Sequence, residues 1–250
     1  MLANDLKLND DKTDFFVVLS PHHLRQFSCP DILLSCHTFS TSTAVKNLGC
    51  YFYRHMNLDR LISSYCSTAY YHLRNISRVS HYLSREACHA AVRSLVLSRL
   101  DFSNGLLGGL NHGQVARLQL VQNSAARPIF HIRKRDHITP FLKQLHWLPI
   151  QMRIRFKLCT YMYKAIHNLG PSYINNAVHM YTPSRHLRSC DDGLLLAVYV
   201  PRKKLGYHDF TITGPQAWNL LPREIRSAPS MNSFKNKLKT HLFKIHNFVY

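Results

Sequence analysis

Apolar side chains recur three and four residues apart through the middle of the chain, and that spacing predicts helices. Leu58, Leu61, Ile62, Tyr65, Ala69, Leu73 and Ile76 share one stripe, which predicts a helix of about six turns. Ser84 is placed to cap a second helix whose inward face is Cys88, Ala91, Val92 and Leu95. The glycines between 104 and 109 end it. Asn111 is placed to cap a third, with Val115, Leu118, Val121, Ala125 and Ile129 inward and Pro128 set to kink or end it. Pro149 fits the first turn of a fourth. Ile150, Ile154, Leu158, Tyr161 and Ala165 lie on one of its sides, and Arg153, Lys157 and Lys164 share a different face. Gly170-Pro171 stops it. Ser230 opens a last helix that buries Phe234, Leu238, Leu242 and Ile245 and turns Lys235, Lys237, Lys239 and Lys244 outward.

Strand signals flank this helical middle. Residues 13–19, 31–36 and 44–53 are rich in β-branched and aromatic side chains, and Gly49 inside the last run predicts a bulge or a close backbone approach. Residues 194–200 and 207–212 read as a hairpin joined by the basic connection 201–206. Residues 1–11 read as the tail of a short helix. The expected class is α-dominated α+β: a helical bundle, a small N-terminal sheet, and a C-terminal β-hairpin followed by a helix. The expected segments are 1–56, 57–181 and 182–250.

A hydrophobic fraction of 46% over 250 residues is enough to build a core. No apolar run approaches the roughly 18–20 residues that span a bilayer, so no membrane partner is expected. The first residues, MLANDLKLNDDKTD, carry acids where a secretory signal would carry an apolar run. The seven cysteines at 29, 36, 50, 66, 88, 159 and 190 show no paired spacing. Together these predict an intracellular, reduced protein, nuclear or cytoplasmic and not secreted.

Charge changes the picture most. The net charge is +19, and from Phe102 to Cys190 the only acidic residue is Asp136. Ordinary solvated faces carry both signs, so this stretch reads as a surface for a polyanion. The candidate contacts are Arg117, Arg127, Arg133, Lys134, Arg135, Lys143, Arg153, Arg155 and Lys157, with Phe130, Phe141 and Trp147 interleaved. Each Lys or Arg placed on a phosphate releases a condensed counterion, so a nucleic-acid phosphate backbone is the expected partner.

Catalytic signals are sparse by contrast. Metal-dependent phosphoryl chemistry needs converging carboxylates, and the adjacent pairs are Asp10-Asp11 and Asp191-Asp192, both read as turn or cap residues. Cys29, Cys36 and His37 lie close together, yet no CxxC, HExxH or second ligand pair accompanies them. His146-Trp147 reads as structural, the indole filling a corner between two helices. Neither a GxxxxGK phosphate loop nor a GxSxG elbow occurs. No enzyme activity, metal or cofactor is expected of this chain.

A succession of blocks carries a resemblance. VKNLGCYF (45–52), SRLDFSNGLL (98–107), LQLVQNSAAR (118–127), HITPFLKQLHWLPIQMRIRFK (137–157) and GPSYI (170–174) come first. RHLRS (185–189), VPR before GYHDF (200–210), GPQAWNLLPREIR (214–226) and SFKNKLKTHLF (233–243) follow in order. The chain from 12 to 243 resembles the C-terminal part of the reverse transcriptase of LINE-type, non-LTR retrotransposons of the jockey-like group. In that family the palm, with its paired aspartates and magnesium, lies just before the block that appears here as Lys12-Thr13-Asp14. The resemblance implies that residues 1–56 hold the last palm strands and the primer grip, including Lys46, Leu48 and Gly49. It further implies a helical thumb at 57–181 and an extension at 182–250, parts that hold the template–primer duplex and do no phosphoryl chemistry. Two positions depart from the family: Tyr53 stands where an Asp is common, and Pro128 where an aliphatic residue is usual. The competing expectation is a retained, non-enzymatic basic nucleic-acid-binding or scaffold protein, or a remnant without function.

Overall fold

A computed structural model describes residues 9, 13–26, 31–34, 37–54, 56, 58–182, 193–200 and 209–247. The helix tail expected at 1–11, Asp10-Asp11, Cys29, Cys36, Asp191-Asp192 and the connection 201–206 fall outside these residues, Asn9 excepted. The chain divides into two compact units, 1–61 and 62–250.

The first unit holds a short helix, α1 (Pro21–Gln26), and two antiparallel two-stranded sheets. One pairs β1 (Ile32–Leu34) with β2 (His37–Phe39), and the other pairs β3 (Ala44–Asn47) with β4 (Cys50–Tyr53). The expected single run at 44–53 is therefore a tight hairpin. Leu48 (φ 47°) and Gly49 (φ 82°) form its two-residue turn, where positive φ matches the twist of the flanking strands. Gly49 is neither a bulge nor a close approach; it supplies the left-handed conformation that glycine adopts without cost. The strand expected at 13–19 reduces to one bridge, Phe15 to Thr41. The Arg54 guanidinium fixes that region by donating to Ser42 O at 3.1 Å and Thr41 O at 3.0 Å.

α2 (Asp59–Val79) opens the helical part and buries the whole stripe from Leu58 to Ile76, as its spacing predicts. A 3-10 turn, Ser80–Tyr82, leads to α3 (Arg85–Val92), whose Ser84 cap accepts from Ala87 N at 3.2 Å. The next turn, Arg93–Leu97, widens to a π-helix before α4 (Ser98–Asp101). That inserted residue rotates the buried face: Val96 and Leu97 go inward, while Leu95, expected inside, is exposed.

A second 3-10 turn (Asn104–Leu107) precedes α5 (His112–Phe130). Asn111 and Gln114 form a reciprocal capping box at its start. Pro128 sits inside its last turn, and the helix ends two residues later at Phe130, with His131 as the C-cap in the left-handed region. α6 (Thr139–Gln144), α7 (Ile150–Ile166) and α8 (Ser172–Asn175) follow. α7 has Pro149 at its N-cap and no side-chain cap of its own. α5 supplies the partners instead: Gln119 Oε1 accepts from Ile150 N at 2.9 Å, and Gln122 donates to Leu148 O at 2.9 Å.

α9 (Phe210–Asn219), α10 (Arg223–Arg226) and α11 (Met231–Asn247) complete the chain. α7 is the central element, packed against α5, α9 and α11, so the helices beyond residue 182 share the core of the second unit. Tyr163 stacks on Phe234 at 4.5 Å, Trp218 stacks on Phe234 at 5.6 Å, and the Tyr163 hydroxyl donates to Ala228 O. A Cβ on Gly214 would meet Met162 Sδ at 2.9 Å, which is why α9 can lie so close to α7.

Among the described residues the expected C-terminal hairpin does not form. Tyr207 and His208 lie outside the described residues, and residues 210–212 are the first turn of α9. Asp209 overrides the β-branched run by capping the helix, accepting from Thr211 N at 2.8 Å. Residues 194–200 form no strand beyond one bridge, Leu195 to Met180. The Asn219 side chain takes the place of a neighbouring strand there, bonding both Leu195 N and Leu195 O. The class is nonetheless α-dominated α+β.

Candidate nucleic-acid interface

The turn that joins α5 to α6 holds three consecutive exposed basic residues. Arg133, Lys134 and Arg135 project from it, and Lys143 is exposed on α6. Asp136, the sole acid between 102 and 190, spends its carboxylate on the backbone: Oδ2 accepts from Arg133 N at 2.7 Å. Arg127 closes the same turn from α5, donating to Arg133 O and Asp136 O. So the one acid and one of the cations shape the turn, and the three side chains at its tip stay open to solvent.

α7 uses its cations differently. Arg153 is only 19% exposed and forms a two-pronged ion pair with Asp101 of α4, its Nε donating to Oδ1 at 2.8 Å. Arg155 lies half-buried between Cys159 and His241 of α11. Burial pushes the Cys159 thiol up to about 12, against the opposing pull of Arg155. Lys157 rests over the Tyr161 ring at 5.1 Å. The interleaved aromatics are also committed. Phe130 packs on Phe141 at 4.8 Å beneath the Arg85 guanidinium, and Trp147 is buried against His89 in the corner between α6 and α7. Trp147 is closed to a base, and the two phenylalanines are half-exposed and packed on each other.

Arg117 is exposed on α5 and donates to Ser63 Oγ of α2 at 2.8 Å. In the first unit, Lys46, Leu48 and Gly49 come together at the tip of the β3–β4 hairpin. The ammonium of Lys46 lies 5.7 Å above the ring of its cross-strand partner Tyr51, and Leu48 is 87% exposed.

The sequence reading missed a cluster on α2. Arg74 and Arg78 stand one turn apart on its polar face, exposed and without a hydrogen-bond or ion-pair partner among the described residues. They border a cleft of about 680 Å³ between α2 and the end of α5, together with Tyr70, His81, His131 and Lys134. His81 and His131 stack there at 5.0 Å with ring planes 23° apart. The signal was present in the sequence: two arginines four apart, opposite the apolar stripe of a helix already assigned.

Among the described residues no three of His, Cys, Asp or Glu converge on a metal position, and no helix is long and apolar enough to cross a membrane. No protein-family model, curated protein or solved structure matches this chain.

Proposed function

We propose that this chain is the post-palm part of a non-LTR retrotransposon reverse transcriptase and that it binds RNA or an RNA–DNA duplex without catalysing polymerisation by itself. The origin rests on the ordered blocks from VKNLGCYF to SFKNKLKTHLF. The binding rests on one observation: the basic tip at 133–135 is exposed while Asp136, the one acid in sequence from 102 to 190, is bonded to its own backbone. A tip whose cations have no internal acid to neutralise them attracts a phosphate backbone. The α7 cations belong to the fold in this reading, which narrows the interface to the tip, Lys143 and Arg117.

The test is RNA affinity of the full chain across a salt series, for wild type and for Arg133→Gln/Lys134→Gln/Arg135→Gln. The backbone bonds that Arg127 and Asp136 make remain available in that variant. If all three side chains touch phosphates, the salt slope falls by about 2 units on a single strand and somewhat more on a duplex. Absence of RNA binding by the wild type overturns the proposal. Primer extension on an RNA template with magnesium, by the chain alone, overturns its non-enzymatic part.

A further inference from the structure

We infer that the cleft between α2 and the end of α5 is a binding groove for single-stranded RNA, distinct from the 133–135 tip except for the shared Lys134. The inference rests on the proposed RNA-binding function and adds a second place, a second set of residues and a preference for single strands.

Electrostatics come first. Two helix ends meet at this cleft, α2 at Val79 and α5 at Phe130, and each brings about half a negative charge in its free carbonyls. Arg78 and Arg127, each in the last turn of its helix, offset those two ends. Arg127 is further held by the carbonyls of Arg133 and Asp136. Arg74 and Lys134 remain as uncompensated charge, and among the described residues no carboxylate lines the cleft. The groove is therefore cationic beyond what its helix ends require.

Spacing and surface chemistry then favour a strand over a compact anion. Arg74 and Arg78 are separated by about 6 Å along the helix axis, comparable to the step between phosphates of an extended strand. The cleft also carries flat surfaces that an inorganic anion could not use. The stacked His81–His131 pair is exposed, and Tyr70 lies partly exposed on the same lining. Cations tracking a backbone beside rings that accept unpaired bases are the two components of single-strand recognition, and a duplex keeps its bases out of such rings' reach.

Two variants test this. Arg74→Gln/Arg78→Gln removes charge from exposed helical positions with a residue that holds the helix nearly as well. His81→Ala removes half of the stack. The probes are a labelled uridine oligomer, a duplex of the same length, and inorganic polyphosphate, with thermal unfolding as a check. For the oligomer, the double variant is expected to lose roughly tenfold in affinity near physiological salt and about 1.4 units of salt slope. His81→Ala is expected to weaken the oligomer several-fold and polyphosphate not at all. Failure of the wild type to bind RNA overturns the general function and this groove with it. Wild-type binding with unchanged affinity in Arg74→Gln/Arg78→Gln overturns the groove alone. Equal losses for duplex and oligomer, or a His81→Ala variant indistinguishable from wild type, overturn the single-strand assignment.

Discussion

Arg133, Lys134 and Arg135 lie in an exposed turn, whereas Arg153, Arg155 and Lys157 lie half-buried along α7. In the sequence the two triplets are equally basic, and the one acid from 102 to 190, Asp136, adjoins the first. In the fold they serve opposite ends. The turn uses an acid and an arginine to hold its backbone and leaves its tip free, while each α7 cation has a side-chain neighbour in Asp101, Cys159 or Tyr161. The difference comes from position in the core. α7 is surrounded by α5, α9 and α11, so its polar stripe is flanked by other elements before any ligand arrives. Formal charge counts both triplets alike, but only desolvation and partners decide which is available.

The comparison can be broken from the stability side. The largest effect expected is Trp147→Ala, which should cost about 3–5 kcal/mol because the indole fills the corner from which α7 starts. Denaturant unfolding measures it, and a loss below about 1 kcal/mol would mean that α7 is not anchored there. Next is Arg153→Gln, which strands the Asp101 carboxylate. Since Asp101 is 41% exposed, water recovers part of the loss, and about 1–2 kcal/mol is expected with RNA affinity unchanged. A weakened RNA complex at unaltered stability would return Arg153 to the interface.

The smallest effect is a pH dependence on the packed side. His89 is held below the ordinary imidazole range by burial, then by Arg93 and Arg85; His241 likewise by burial, then by Arg155 and Lys244. With folded values below 6.5, the unfolded chain binds more protons in that window. The stability these two neutral rings contribute is therefore complete above about pH 6.5 and declines as the pH falls through and below it. Melting temperatures from pH 8 to about pH 5 should fall, and His89→Phe should flatten the decline. A flat wild-type profile would remove this distinction between the packed and open sides.

Much of the helical part was legible because each signal was local. The α2 stripe and the Ser84 and Asn111 caps are set by residues within one or two turns. Where the reading failed, a neighbour or an inserted residue intervened. Leu95 was turned out by the π turn, whose extra residue leaves no mark in an apolar pattern. Residues 210–212 look like strand by composition, but Asp209 caps them into helix. The candidate site was half legible. The exposed tip was found, yet Asp101 lies 52 residues before Arg153, too far for any spacing rule to join them. Arg74 and Arg78 of α2 lie before the acid-poor stretch, on the polar face of a helix whose apolar stripe is its strongest signal.

The glutamines of α5 have a consequence for the order of assembly. α5 carries its own start signal in the Asn111–Gln114 box and can begin to wind as soon as that segment exists. The first residues of α7 have no such local signal, and Ile150 N bonds to Gln119 across 31 positions of chain. Closing that loop costs entropy before the bond returns anything. The beginning of α7 should thus be a late event on the folding path, with α5 as the template on which it forms. The element at the centre of the finished core is, by this logic, among the last to acquire its boundary.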